Sequence, residues 1–93
     1  MSDQPLTLED VLKFPCSFTI KIMGVNVPEL ISEVVAIVGS KSSSFDPQQD
    51  IVTKLSRNGN YLSVNATIMA ESRQQLDEIY LALNNHELVK ITL

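Results

Sequence analysis

Three kinds of side chain in this sequence could do covalent or acid–base chemistry: one cysteine, Cys16, one histidine, His86, and the lysines, of which Lys21 interrupts an apolar alternation. A Cys–His nucleophile pair needs the imidazole within hydrogen-bond reach of the thiol. Cys16 precedes the first alternating segment and His86 the last, so only a loop excursion would join them, and a surface-loop histidine is the simpler reading. A reactive thiol also needs a neighbouring cation or helix N-terminus to hold the thiolate. Lys13 is near Cys16 in sequence, but a free cysteine more often serves as a small buried hydrophobe. Soft metal sites want several Cys or His ligands at fixed spacing; with one of each, no metal and no cofactor is expected. The carboxylate pairs Glu9-Asp10 and Asp77-Glu78 fall on helix surfaces, where a solvated face is the ordinary outcome. Gly59 belongs to an Asn-Gly turn rather than to a strand–helix junction, so there is no phosphate-binding loop. No catalytic residue is assigned.

The elements that would position these residues can be read from bounds and then from periodicity. Ninety-three residues, 44% hydrophobic and 19% charged, make a single domain with one core over 1–93. The net charge is −4, from 11 acidic and 7 basic residues, and the basic ones are scattered. Nucleic-acid binders concentrate cations against phosphates, so neither nucleic acid nor an anionic membrane is expected as a partner. A lone cysteine forms no intramolecular disulfide. The polar start lacks the features of a signal peptide, and no apolar run approaches the ~20 residues of a span. A cytoplasmic location follows by elimination.

Residues 1–6 read as a loose tail and 7–13 as a short helical turn capped by Thr7 and ended by Pro15. Phe18, Ile20 and Ile22 alternate with Thr19, Lys21 and Met23, predicting a strand over 17–23 closed by Gly24. Asn26 as cap and Pro28 in the first turn start a helix over 28–38, with Gly39 as its stop. Residues 40–49 form a long irregular loop pinned by Phe45. A second strand over 50–56 turns at Asn58-Gly59 into a third over 61–69. Ser72 and Gln75 form a capping box for a helix over 73–84. Val89, Ile91 and Leu93, read as inward-facing, alternate with Leu88, Lys90 and Thr92 in a last strand over 88–93. The order is a ferredoxin-like βαββαβ sandwich of the α+β class: a four-stranded antiparallel sheet with two helices on one face. Right-handed crossovers place strands 1 and 3 in the centre.

Two segments also resemble a known family. Phe14-Pro15-Cys16-Ser17-Phe18-Thr19-Ile20-Lys21-Ile22-Met23-Gly24 is similar to the opening signature of the small bacterial YbeD-like proteins. Ser56-Arg57-Asn58-Gly59-Asn60-Tyr61-Leu62-Ser63-Val64 is similar to their second, a serine, then glycine, then Tyr-x-Ser-Val. The ending Leu88–Leu93 looks similar too. The resemblance implies a ferredoxin-like fold akin to ACT-type regulatory domains, which bind amino acids. It implies no activity, since the family has no agreed catalytic residues.

The sheet face turned away from the helices is the candidate functional surface. By alternation it carries Thr19, Lys21, Met23, Lys54, Tyr61, Ser63, Asn65, Thr67, Lys90 and Thr92. Lys21, Tyr61, Ser63 and Asn65 are the candidate binding residues: a mid-strand cation flanked by a hydroxyl and an amide could hold an anionic group. The expected function is a non-enzymatic regulatory or adaptor module for a small anionic ligand or a protein partner, with a homodimer as one form. The alternatives are a small enzyme built on Cys16 or Lys21, or a structural subunit of a complex. On this reading Cys16 should label slowly with a thiol reagent at neutral pH in the folded protein; rapid labelling would favour the enzyme.

Overall fold

The computed structural model of the chain describes residues 12–93. The expected tail at 1–6 and nearly all of the expected turn at 7–13 lie outside the described residues. The elements are β1 (Cys16–Val25), α1 (Pro28–Lys41), β2 (Ile51–Leu55), β3 (Tyr61–Ala70), α2 (Arg73–Asn84) and β4 (Val89–Thr92). One antiparallel sheet runs in the order β2-β3-β1-β4. The strands expected in the centre are the central ones. Both helices pack on the same face. Leu30, Val34 and Val38 of α1 and Leu76, Ile79 and Leu83 of α2 meet Ile20, Ile22, Val64, Ala66 and Ile68 of the sheet in one buried cluster. No helix among the described residues is long and apolar enough to cross a membrane.

Local chemistry explains the boundaries, and in places overrides the sequence signals. α1 runs through Gly39 to Lys41, because nothing at Gly39 demands a left-handed turn; the cap is Ser42, whose N–H donates to the Val38 carbonyl at 2.9 Å. Val27, not Asn26, occupies the N-cap, with no side-chain bond. Asn26 instead donates its side-chain amide to the Gly59 carbonyl at 2.9 Å and its N–H to the Asn60 carbonyl at 3.1 Å. That ties the β1–α1 turn to the β2–β3 hairpin, where Gly59 takes φ 73°. The expected capping box at α2 is formed in part: its serine half is present, while the glutamine side chain reaches the amide one residue before the N-cap. Ser72 accepts from the Gln75 N–H at 3.1 Å, and Gln75 accepts from the Glu71 N–H at 2.7 Å. The Gln75 amide also donates to the Lys41 carbonyl at 2.9 Å, satisfying an orphan acceptor at the end of α1. In the 40–49 loop, the Asp46 carboxylate accepts from the Gln48 N–H and that of Asp50 accepts from the Asp46 N–H. Phe45 packs half-buried on the core, as expected.

One correction changes a whole edge. Ile22 faces Thr92 and Met23 faces Ile91, but Gly24 faces Val89, so β4 carries a bulge at Lys90. A one-residue slip exchanges the faces of a strand. Thr92 therefore lies on the helix side, where its hydroxyl donates to Asn84 Oδ1 at 2.9 Å. Ile91 and Leu93, expected to face inward, turn to the open face. The bulge sits beside Gly24, where an added Cβ would lie 2.5 Å from the Leu88 carbonyl oxygen and 2.6 Å from Leu30 Cδ1. Only glycine lets α1 and the start of β4 approach β1 this closely.

Gly24→Ala should cost roughly 1–3 kcal/mol by overpacking. Val64→Ala and Ile79→Ala, both at fully buried positions, should each cost on the order of 1–4 kcal/mol through the cavity left behind. Urea midpoints measure all three; unchanged midpoints for Val64→Ala and Ile79→Ala would mean that the buried face is assigned backwards.

Candidate functional site

The open face is built as rows across the sheet. Lys21 on β1 stands opposite Asn65 on β3, which stands opposite Val52 on β2. Met23 stands opposite Ser63, and Ser63 opposite Lys54. Tyr61 pairs with Val25 at the top of the face, and Thr19 and Thr67 share a hydroxyl–hydroxyl bond of 2.9 Å lower down. On the other side of β1, Leu93 exchanges two backbone bonds with Lys21, at 3.1 and 2.7 Å. The result is a shallow depression of about 140 Å³ lined by Lys21, Ile22, Met23, Ser63, Ile91 and Leu93.

All four candidate residues lie on this face. Lys21 and Ser63 line the depression; Asn65 is beside Lys21; Tyr61 is further along β3 and 45% exposed. The Lys21 ammonium has no carboxylate partner among the described residues, whose ion pairs are Lys41–Glu78 and Arg73–Asp77. Asn65 Oδ1 is buried without a donor. Alternation places Met23 on this surface but misses Ile91 and Leu93. Met23, Ile91 and Leu93 are 37%, 52% and 75% exposed, and together they make a hydrophobic margin along the β1–β4 side. The signal that could have located it is Gly24, since a glycine inside a central strand often marks a bulge. Tyr80, reaching over from α2, donates its hydroxyl to the Leu93 carbonyl at 3.0 Å. Burial raises this phenol above its usual value of about 10, which keeps the proton on the donor.

The two nucleophile candidates do not meet. Cys16 pairs with Ala70 at one end of β1 and packs half-buried against the core. His86 lies at the other end, where Nδ1 accepts from the Leu88 N–H at 3.1 Å and Nε2 is 3.4 Å from Glu33 Oε2. The ten residues of β1 put roughly 30 Å of strand between them. No group of three or more His, Cys, Asp or Glu among the described residues could hold a metal ion.

A helix-backed antiparallel sheet of this topology with one exposed face defines an α+β domain of ferredoxin-like type. The chain belongs to the DUF493 family, whose description reads "Protein of unknown function": its family model matches residues 9–93. This is the family that the two sequence signatures resemble. The UPF0250 protein of Paraburkholderia phytofirmans is 41% identical over 85 residues, covering 91% of this chain and 94% of the relative. That of Nitrosomonas europaea is 41% identical over 88 residues, covering 95% and 100%. Among solved structures, protein HP0495 from H. pylori superposes with a TM-score of 0.74 at 17% identity, covering 99% of this chain and 90% of that one. That likeness shows the fold.

With Ile91 on the open face, Ile91→Ser should change stability by no more than about 1 kcal/mol, as at other exposed positions. Urea denaturation checks this; a loss of several kcal/mol would put the side chain back in the core.

Proposed function

We propose that this chain is a non-enzymatic adaptor or regulatory module that takes a protein partner on its open sheet face. The observation that carries the reading is the joining of a cation with no carboxylate partner among the described residues, Lys21, to an exposed apolar margin of Met23, Ile91 and Leu93. Surfaces that combine an apolar patch with polar surroundings are typical of interaction sites. The depression of about 140 Å³ is smaller than the ~300–1,000 Å³ of most small-ligand pockets. This favours a macromolecule over the small anionic ligand of an ACT-like domain. The separation of Cys16 from His86 supports a non-enzymatic role over a Cys-based enzyme. A lone cysteine outside any disulfide suits the cytoplasm.

A face that only meets water tolerates change, whereas a binding face does not. Lys21→Glu and Tyr61→Ser should each shift stability by no more than about 1 kcal/mol while abolishing capture of the cognate partner. Asp77→Asn, on the outer surface of α2, should leave capture unchanged. Quantitative pull-down with each folded variant reads the outcome. Capture that persists in both face variants would refute the proposal and turn attention to Phe45 and the 40–49 loop.

A further inference from the structure

We infer that the partner of this face is an acidic, amphipathic protein segment, an inference that rests on reading the face as a protein-binding surface. The four strands hold Lys21, Lys54 and Lys90 and no aspartate or glutamate, in a chain of net charge −4. The described carboxylates lie on the helices, as Glu29, Glu33, Asp77 and Glu78, and in the connections. Asp50, just before β2, lines the far end of the same face with Ser17, Thr67 and Met69, so the positive part of this acidic protein is the part of the sheet that holds Lys21 and Lys54. Charge of one sign on a face selects partners of the other sign and speeds their encounter.

Geometry narrows the occupant further. Lys21 and Lys54 are two strands and two residues apart, a Cα separation of roughly 12 Å from standard sheet spacings. Carboxylates two turns apart on a helix, ~11 Å, match that spacing. The apolar margin of Met23, Ile91 and Leu93 runs along the other side of Lys21, so the complementary segment carries acidic and apolar edges side by side. The four strands, of ten, five, ten and four residues, give at standard sheet spacings a face on the order of 450 Å². A stable interface takes about 800 Å² per partner, so the fit is to a peptide-like, reversible contact. A second copy docked face to face would set Lys21 and Lys54 against their own equivalents, with no carboxylate on the strands to offset them. Single-stranded nucleic acid wants stacking platforms, and Tyr61 is the one aromatic side chain that the described strands turn to this face.

The test is to pan a displayed library of random peptides against the intact protein and measure the selected peptides by fluorescence anisotropy. The expected winners carry net negative charge and recurrent Leu, Ile or Phe. Their affinity should fall at least about tenfold in the Lys21→Glu/Lys54→Glu protein and also with added salt. It should weaken again in Ile91→Ser, with dispersed amide spectra showing each variant folded. Amide shifts on binding should map to Lys21, Met23, Ser63 and Ile91. Winners that map to this face without acidic bias would overturn the acidic partner and leave the binding face standing. No winners, or winners that map to the helices, would overturn both. A dimer in sedimentation that Ile91→Ser dissolves would assign the face to a second copy. Tight binding of a single-stranded RNA oligonucleotide, lost in the double variant, would assign it to nucleic acid. Either result overturns the inference.

Discussion

Two helices can cover one face of a four-stranded sheet and no more. Everything else in this fold follows from that one-sided burial. Leu30, Val34 and Val38 on one helix and Leu76, Ile79 and Leu83 on the other close over Ile20, Ile22, Val64 and Ala66, all fully or almost fully buried. The helices must lie near the sheet for this to work, and Gly24 sets the distance at one end by leaving room for Leu30 and the Leu88 carbonyl. The ends are then fastened by polar side chains that serve two elements at once. Asn26 joins a strand exit to the hairpin, and Gln75 joins the start of one helix to the end of the other. No described element covers the opposite face of the sheet.

The central architecture was legible because its signals are repetitive. Alternation over Phe18–Met23 and Tyr61–Ile68, and an apolar stripe at Leu76, Ile79, Tyr80 and Leu83, each rest on several residues that agree. What was not legible depended on single residues with two uses. Asn26 is a good helix cap, but in this fold its amide is taken by Gly59. Gly39 is a good helix stop, yet nothing there forces the chain out of the helix. The last strand is only four residues long, so one bulge residue outweighs its whole alternation. That is why alternation puts Ile91, Leu93 and Thr92 on the wrong faces, while on the longer strands it puts Lys21, Tyr61, Ser63 and Asn65 on the face where they lie. The role of those four is a matter of chemistry between molecules, which periodicity within one chain does not encode.

The bulge also changes the character of the open face. Regular alternation would have made β4 contribute Lys90 and Thr92 there and left the β4 edge of the face polar. The slip replaces Thr92 with Ile91 and Leu93, so the face acquires an apolar margin beside a cation. One extra residue thus moves hydrophobic surface from core to exterior without altering the topology. Tyr80 steadies this arrangement from the helix side, holding the Leu93 carbonyl while Leu93 remains paired with Lys21.

The central position of β1 sets a schedule for synthesis. Ile22 pairs with Val64 on one side and with Thr92 on the other. When this strand leaves the ribosome, both neighbours are still untranslated. At ~5–20 residues per second, the second neighbour follows on the order of ten seconds later. Through that interval Phe18, Ile20 and Ile22 have no sheet to join, and the nascent chain presents an apolar strand with both edges open. Lys21, set among them, gives that waiting strand a charge, the kind of gatekeeper that discourages pairing with other chains.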